Sequence, residues 1–205
     1  ARYPNSSANS LRSTIAQLHN VDDEQVIVGN GSDDVLNLCV RCFSDYSKPL
    51  GMLDPSYSLY EVLGSLQGAE VKKFAFSDSK FEINPEVISQ SGTNLFFLTS
   101  PHAPTGRIYN NSTFSSVINQ YSGILVIDEA YADFAPFNAL SILNESERVI
   151  ITRTLSKSYS LAGLRVGYAL ASPDVISILN KAREVYNVDR LAQYVAEIAL
   201  KDRGY

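Results

Sequence analysis

The stretch Val149-Ile150-Ile151-Thr152-Arg153-Thr154-Leu155-Ser156-Lys157 decides the fold. Residues 149–152 are all β-branched and show no polar alternation, the pattern of a strand covered on both faces. Hydroxyls and a lysine then crowd the point where that strand ends. Working outward, short β-branched or aromatic runs predict further strands at 26–28, 51–53, 71–76, 95–99, 124–127 and 168–171. Between them, helical periodicity appears at 10–18, 33–43, 58–66, 113–119 and 172–185, the last opening Ser172-Pro173-Asp174 as cap and first turn. The alternation predicts an α/β fold, a three-layer α/β/α arrangement around a mostly parallel sheet. Only Tyr186-Asn187-Val188 reads as a domain edge, because a second helical pattern comes after it through Leu191, Val195, Ile198 and Ala199. Residues 1–188 are therefore expected to form one large domain, and 189–205 the start of a connection to a small C-terminal one. The chain opens Ala1-Arg2-Tyr3-Pro4 without an initiator Met, and reads as a fragment with a clipped N-terminal arm.

With 45% hydrophobic and 19% charged residues, the 205-residue chain has the balance of a globular protein with a substantial core. A net charge of -5 and the lack of any Lys or Arg cluster leave no footprint for nucleic acid. The longest apolar runs, 95–98 and 124–127, are too short to cross a bilayer, and no signal-peptide core is visible. A cytoplasmic enzyme is the expectation. Cys39 and Cys42 form a C-x-x-C, but they fall inside the helical pattern Val35, Leu38, Cys39, Cys42 and read as core cysteines. Only His19 and His102 are available besides, so no metal site is expected.

In open parallel sheets ligands gather beyond the carboxyl ends of strands, and three such ends carry chemistry here. Gly29-Asn30-Gly31-Ser32-Asp33-Asp34 joins a strand to a helix and offers backbone N–H groups to a phosphate. A plain glycine-rich turn capped by Ser32 or Asp33 fits the same residues. Asp128-Glu129-Ala130-Tyr131 comes directly after the run 124–127; a carboxylate there can bind metal, act as a base or pair with a ring cation. Lys157 ends the opening stretch, with the hydroxyls of Thr154 and Ser156 nearby and the fork-shaped guanidinium of Arg165 a few residues on. A lysine must be neutral to attack an aldehyde, a state favoured by poor solvation and nearby cations, although most lysines after strands are merely solvated.

Taken in order, Ser100-Pro101-His102-Ala103-Pro104-Thr105-Gly106, Asp128-Glu129-Ala130-Tyr131, Thr154-Leu155-Ser156-Lys157 and Leu161-Ala162-Gly163-Leu164-Arg165-Val166-Gly167 resemble the motifs of fold-type I aminotransferases that use pyridoxal 5'-phosphate (PLP). The similarity runs from Arg2-Tyr3-Pro4 to the 186–188 segment, and its branch is that of the histidinol-phosphate aminotransferases. The resemblance implies that Lys157 carries the cofactor as a Schiff base and moves the substrate proton. It implies Asp128 on the pyridine nitrogen, Tyr131 on the phenolic oxygen O3′ and Tyr57 stacked on the ring. For the phosphate it implies backbone groups of Ser32 and Asp33, the hydroxyls of Thr154 and Ser156, and Arg165. Tyr3 corresponds to a tyrosine that reaches the neighbouring subunit's phosphate, which implies a homodimer. One departure stands out: Ala103 occupies the place of an asparagine that donates to O3′, leaving His102 or Tyr131 to serve that oxygen.

The reaction implied by the resemblance is transfer of an amino group between a 2-oxo acid and a small amino acid or amino-alcohol phosphate. Glutamate and imidazole-acetol phosphate, the partners in histidine biosynthesis, are the expected pair. A threonine-phosphate decarboxylase, or another lyase of the branch, would share nearly all these residues. A binding-only or inactive domain is the third reading, since the family's substrate-carboxylate arginine and small domain lie beyond the residues present.

Overall fold

The computed structural model describes residues 3–202; Ala1, Arg2 and the end of the expected connection, 203–205, lie outside the described residues. The strands are β1 (Val26–Asn30), β2 (Leu50–Asp54), β3 (Val71–Ala75), β4 (Leu95–Thr99), β5 (Ile124–Asp128), β6 (Val149–Thr154) and β7 (Val166–Ala171). The α-helices are α1 (Asn9–His19), α2 (Ser32–Phe43), α3 (Leu59–Gln67), α4 (Pro85–Ser89), α5 (Asn111–Gln120), α6 (Pro173–Ala182) and α7 (Arg190–Lys201). Each run expected from the sequence forms its element within a few residues. The one-turn helix α4 is the exception, being too short for any periodicity to show. Asn84 caps it by accepting from the Glu86 N–H at 2.9 Å.

Among the described residues one seven-stranded sheet has the order β1-β7-β6-β5-β4-β2-β3. Its pairings are parallel from β3 through β6, while β7 runs antiparallel to both neighbours. The reversal has a simple cause. Residues 155–165 between β6 and β7 contain only a 3-10 turn, Ala162–Leu164, and a parallel return needs a longer crossover.

Side chains alternate across the sheet as the pleat demands. Val126 and Ile150 join the core under α2, α3 and α6. Leu125, Ile127 and Ile151 join the opposite core under α4 and α5. At the β1–β7 edge, Val26, Val28, Val166 and Leu170 pack with α1 and α7, the latter through Ala192, Ala196 and Leu200. Three layers result. Cys39 is wholly buried in the α2 core, and both cysteines are free thiols.

The N-terminus of α2 sits directly on β7. Gly167 lies so close that a Cβ there would collide with the Ser32 nitrogen and come within 2.5 Å of the Gly31 carbonyl carbon. Gly163, in the preceding turn, has nothing within 4 Å of its own hypothetical Cβ. Gly167→Ala is expected to cost roughly 1–3 kcal/mol in denaturant unfolding by pushing α2 off the strand. Gly163→Ala should stay within about 0.5 kcal/mol of the wild type.

Candidate active site

Parallel register brings the carboxyl ends of β4, β5 and β6 level, with Thr99 opposite Asp128 and Asp128 opposite Thr152. An open cleft lies there, lined by residues from all three strand ends together with Ser32, Asp33, Tyr57, Lys157 and Arg165. Asp128 is buried, only 3% exposed. Its Oδ1 accepts from the Thr152 hydroxyl at 3.1 Å and the Ala130 N–H at 3.2 Å, and its Oδ2 accepts from the Tyr60 hydroxyl at 2.7 Å. Burial raises its proton affinity above the usual carboxylate range, and these three donors pull the other way. Every hydrogen-bond partner assigned to the carboxylate is neutral. A buried anion so placed at the edge of a cleft suits a cationic ligand.

A second wall is built for an anion. Gly31, at φ 82°, turns the chain from β1 into α2, and no side chain caps the helix. Ser32 and Asp33, in its first turn, line the cleft, so free N–H groups and the positive end of the helix dipole lie beside it. The alternative of a turn capped by Ser32 or Asp33 does not hold, since both are already helical. Arg165 leaves its 3-10 turn with φ 53°, and its guanidinium lies against Gly31, where a Cβ would come within 2.5 Å of Nη2. Nη2 also donates to Asp33 Oδ2 at 3.1 Å. Between them, the Thr154 hydroxyl donates to Ser156 Oγ at 2.9 Å and accepts from the Ser156 N–H at 3.2 Å.

Lys157 lines the same cleft with its Nζ 5.2 Å from the centre of the Tyr131 ring. Tyr57 offers a half-exposed ring, set edge-on to Tyr60 at 5.6 Å, and its hydroxyl reaches Asp33 at 3.4 Å. Ala103 faces the cleft, placing a methyl group where the resemblance implies an amide. His102 is not among the lining residues. It is buried edge-on to Phe76 at 4.9 Å, and its Nδ1 pairs with the Thr105 hydroxyl at 2.8 Å. Burial lowers its pKa, partly offset by the Pro55 carbonyl. Tyr3 is not among the lining residues either; it is 76% exposed and its ring stacks on Tyr186 at 4.6 Å.

Beneath the site lies a polar layer. Arg153 donates to Glu129 Oε2 through Nε at 3.0 Å and Nη2 at 2.7 Å, and its Nη1 stands 3.6 Å from Asp133. Asp133 also accepts from the Ser158 hydroxyl, while Glu129 Oε1 accepts from the Ala139 N–H at 2.5 Å. One guanidinium therefore ties the segment carrying Tyr131 to the loop carrying Lys157. Next to it, His19 Nε2 pairs with the Tyr168 hydroxyl at 2.8 Å.

The family model described as "Aminotransferase class I and II" matches residues 1–204. The chain belongs to that family. Its sequence is 44% identical over 205 residues to a histidinol-phosphate aminotransferase of Geotalea daltonii, covering 100% of the chain and 58% of that relative. The chain thus spans a little over half the length of such relatives. Its fold matches that of a histidinol-phosphate aminotransferase from Sinorhizobium meliloti, solved with pyridoxal-5'-phosphate, at a TM-score of 0.92 and 24% identity, over 100% of this chain and 57% of the other. A threonine-phosphate decarboxylase from Porphyromonas gingivalis matches at 0.86 and 22% identity, over 98% and 63%.

For this aminotransferase domain, residue patterns point to most of the cleft lining but miss Thr99, and they miss Tyr60 and Thr152, which hold Asp128 from behind. Thr99 and Thr152 sit at or near strand ends, where the strand-end rule could have found them. Tyr60 lies inside α3 and carries no local signal.

His19 gives the polar layer a measurable pH signature. Burial and then the Arg153 guanidinium pull its pKa from 6.5 down to about 4. The unfolded chain binds that proton first, so the stability from a neutral, partly buried imidazole is intact above about 6.5 and is lost as the pH falls towards 4. His19→Gln, which keeps a partner for Tyr168, should shrink the stability difference between neutral and mildly acidic solution by on the order of 1–2 kcal/mol in urea unfolding.

Proposed function

We propose that this chain is the cofactor-binding part of a PLP-dependent histidinol-phosphate aminotransferase, exchanging an amino group between glutamate or 2-oxoglutarate and imidazole-acetol phosphate. One observation carries the reading: a buried carboxylate with only neutral donors, Asp128, shares a cleft with the amine of Lys157 and an uncapped helix N-terminus. The branch rests on the 44% identity to the Geotalea daltonii relative.

The residues fit the cofactor part by part. When bound, PLP supplies an aldehyde for an amine and a ring that takes up electrons from the substrate's α-carbon. Asp128 holds the proton on the ring nitrogen, since a buried anion favours a cation beside it. Lys157, the one amine among the cleft-lining residues, would hold the aldehyde end of the cofactor, and its Nζ would be the group placed to take and return a proton. Tyr131, under the Lys157 Nζ, serves O3′, and the Ala103 methyl leaves it to do so without an amide at that position. Tyr57, whose ring lines the cleft, would be the residue to cover a ring face. The N–H groups of Ser32 and Asp33, the hydroxyls of Thr154 and Ser156, and Arg165 hold the phosphate.

The reading extends to a cytoplasmic homodimer in which Tyr3 completes the partner's phosphate site, and an exposed ring away from its own cleft supports that role. Residues 189–205 begin a connection to a small domain that contributes substrate contacts. No helix among the described residues is long and apolar enough to cross a membrane.

The protein as encoded in full by its gene, loaded with PLP and reduced with borohydride, should carry the label on Lys157 in a peptide map. Label on another lysine, or on none, would overturn the reading. The same preparation should transfer an amino group from glutamate to imidazole-acetol phosphate, whereas carbon dioxide release from threonine phosphate would favour the decarboxylase.

A further inference from the structure

Tyr60 is the side chain that the proposed chemistry leaves without a task. It is fully buried, stacks on Phe97 at 4.5 Å, and brings its hydroxyl to both Asp128 Oδ2, at 2.7 Å, and Thr99 Oγ1, at 2.8 Å. Thr99 Oγ1 is in turn 3.4 Å from Ser56 Oγ. An ionised carboxylate only accepts, so the single Tyr60 proton goes to Asp128. Thr99 must then donate to Tyr60, and Ser56 to Thr99. The chain runs one way, Ser56 to Thr99 to Tyr60 to Asp128. A proton on Oδ2 directed at Tyr60 would break this chain, so the hydroxyls leave the cleft-facing side of Oδ2 as the place where a proton can be shared.

The acceptor sites of the carboxylate point the same way. A carboxylate offers about four. Thr152 and the Ala130 N–H take Oδ1, and Tyr60 takes one site on Oδ2. The acceptor site left over belongs to Oδ2, on a residue that lines the cleft.

We infer that Tyr60, backed by Thr152, is a positioning residue that holds Asp128 ionised and turned so that its one remaining acceptor site faces the cleft and meets the ring nitrogen of the cofactor. The inference rests on the PLP reading and deepens it. It makes Tyr60 act through Asp128 alone, so its effect must depend on a ligand atom that Asp128 can touch.

That dependence is the test. Tyr60→Phe keeps the ring packing and deletes the hydroxyl. Dissociation constants are measured in the full-length protein for PLP and for an analogue with a C–H in place of the ring nitrogen, with thermal melting as a check on folding. Tyr60→Phe is expected to weaken PLP about tenfold and leave the analogue within about twofold of wild type. Thr152→Val, which removes a donor to Oδ1, should show the same selectivity and decides the matter if Tyr60→Phe does not fold. Equal losses for both ligands, or none for PLP, would overturn the inference while leaving the cofactor assignment intact. A wild-type protein that fails to retain PLP would overturn both.

Discussion

Register between the parallel strands β5 and β6 is the constraint on which the site depends. Asp128 faces Thr152 across that pair, and the two side chains meet because they stand on the same side of the pleat. A slip of one residue would send Asp128 to the opposite layer and bring Glu129 or Ile127 into its place. The apolar residues on either side oppose such a slip. Val126 and Ile150 are committed to one core, and Leu125, Ile127 and Ile151 to the other, so a shifted strand would bury nothing properly. Burial of ordinary aliphatic side chains thus aligns a carboxylate with its hydroxyl partners.

The sheet was legible because most of its strands are short apolar runs free of alternation, which is what double coverage by helices demands; the edge strand β3, with Lys72 and Lys73, is the exception. Lys157, Asp128 and the Ser32 turn were legible for a related reason: in such sheets the polar residues just beyond a strand have one place to go. The antiparallel return of β7 left a fainter trace, namely the shortness of the segment 155–165. Tyr60 left none. Its ring reads as one more apolar position on α3, and its hydroxyl meets Asp128 only because the fold lays that ring on Phe97 of β4, a contact between residues 68 apart in sequence. His102 shows the converse case. A histidine inside a motif invites a role, yet Phe76 and Phe81 draw its ring into an aromatic pocket away from the cleft lining.

Arg153 shows how such a site is kept together without contacting a ligand. Buried charges are costly unless paired, and here the pairing joins two segments that must agree in position. Glu129 and Asp133 bracket Tyr131, and Ser158 adjoins Lys157. Polar groups in such a layer polarise one another, so the loss of one weakens the rest.

The contact between Arg165 and Asp33 bears on how an anion would enter. The guanidinium is already engaged by a carboxylate on the first turn of α2, with both side chains partly exposed. An arriving dianion therefore does not meet a bare cation; it takes the place of one negative partner with another. Salt weakens the departing pair as well as the arriving one. Binding at this corner becomes an exchange of counterions, with a shallower ionic-strength dependence than a count of positive charges around the cleft would suggest.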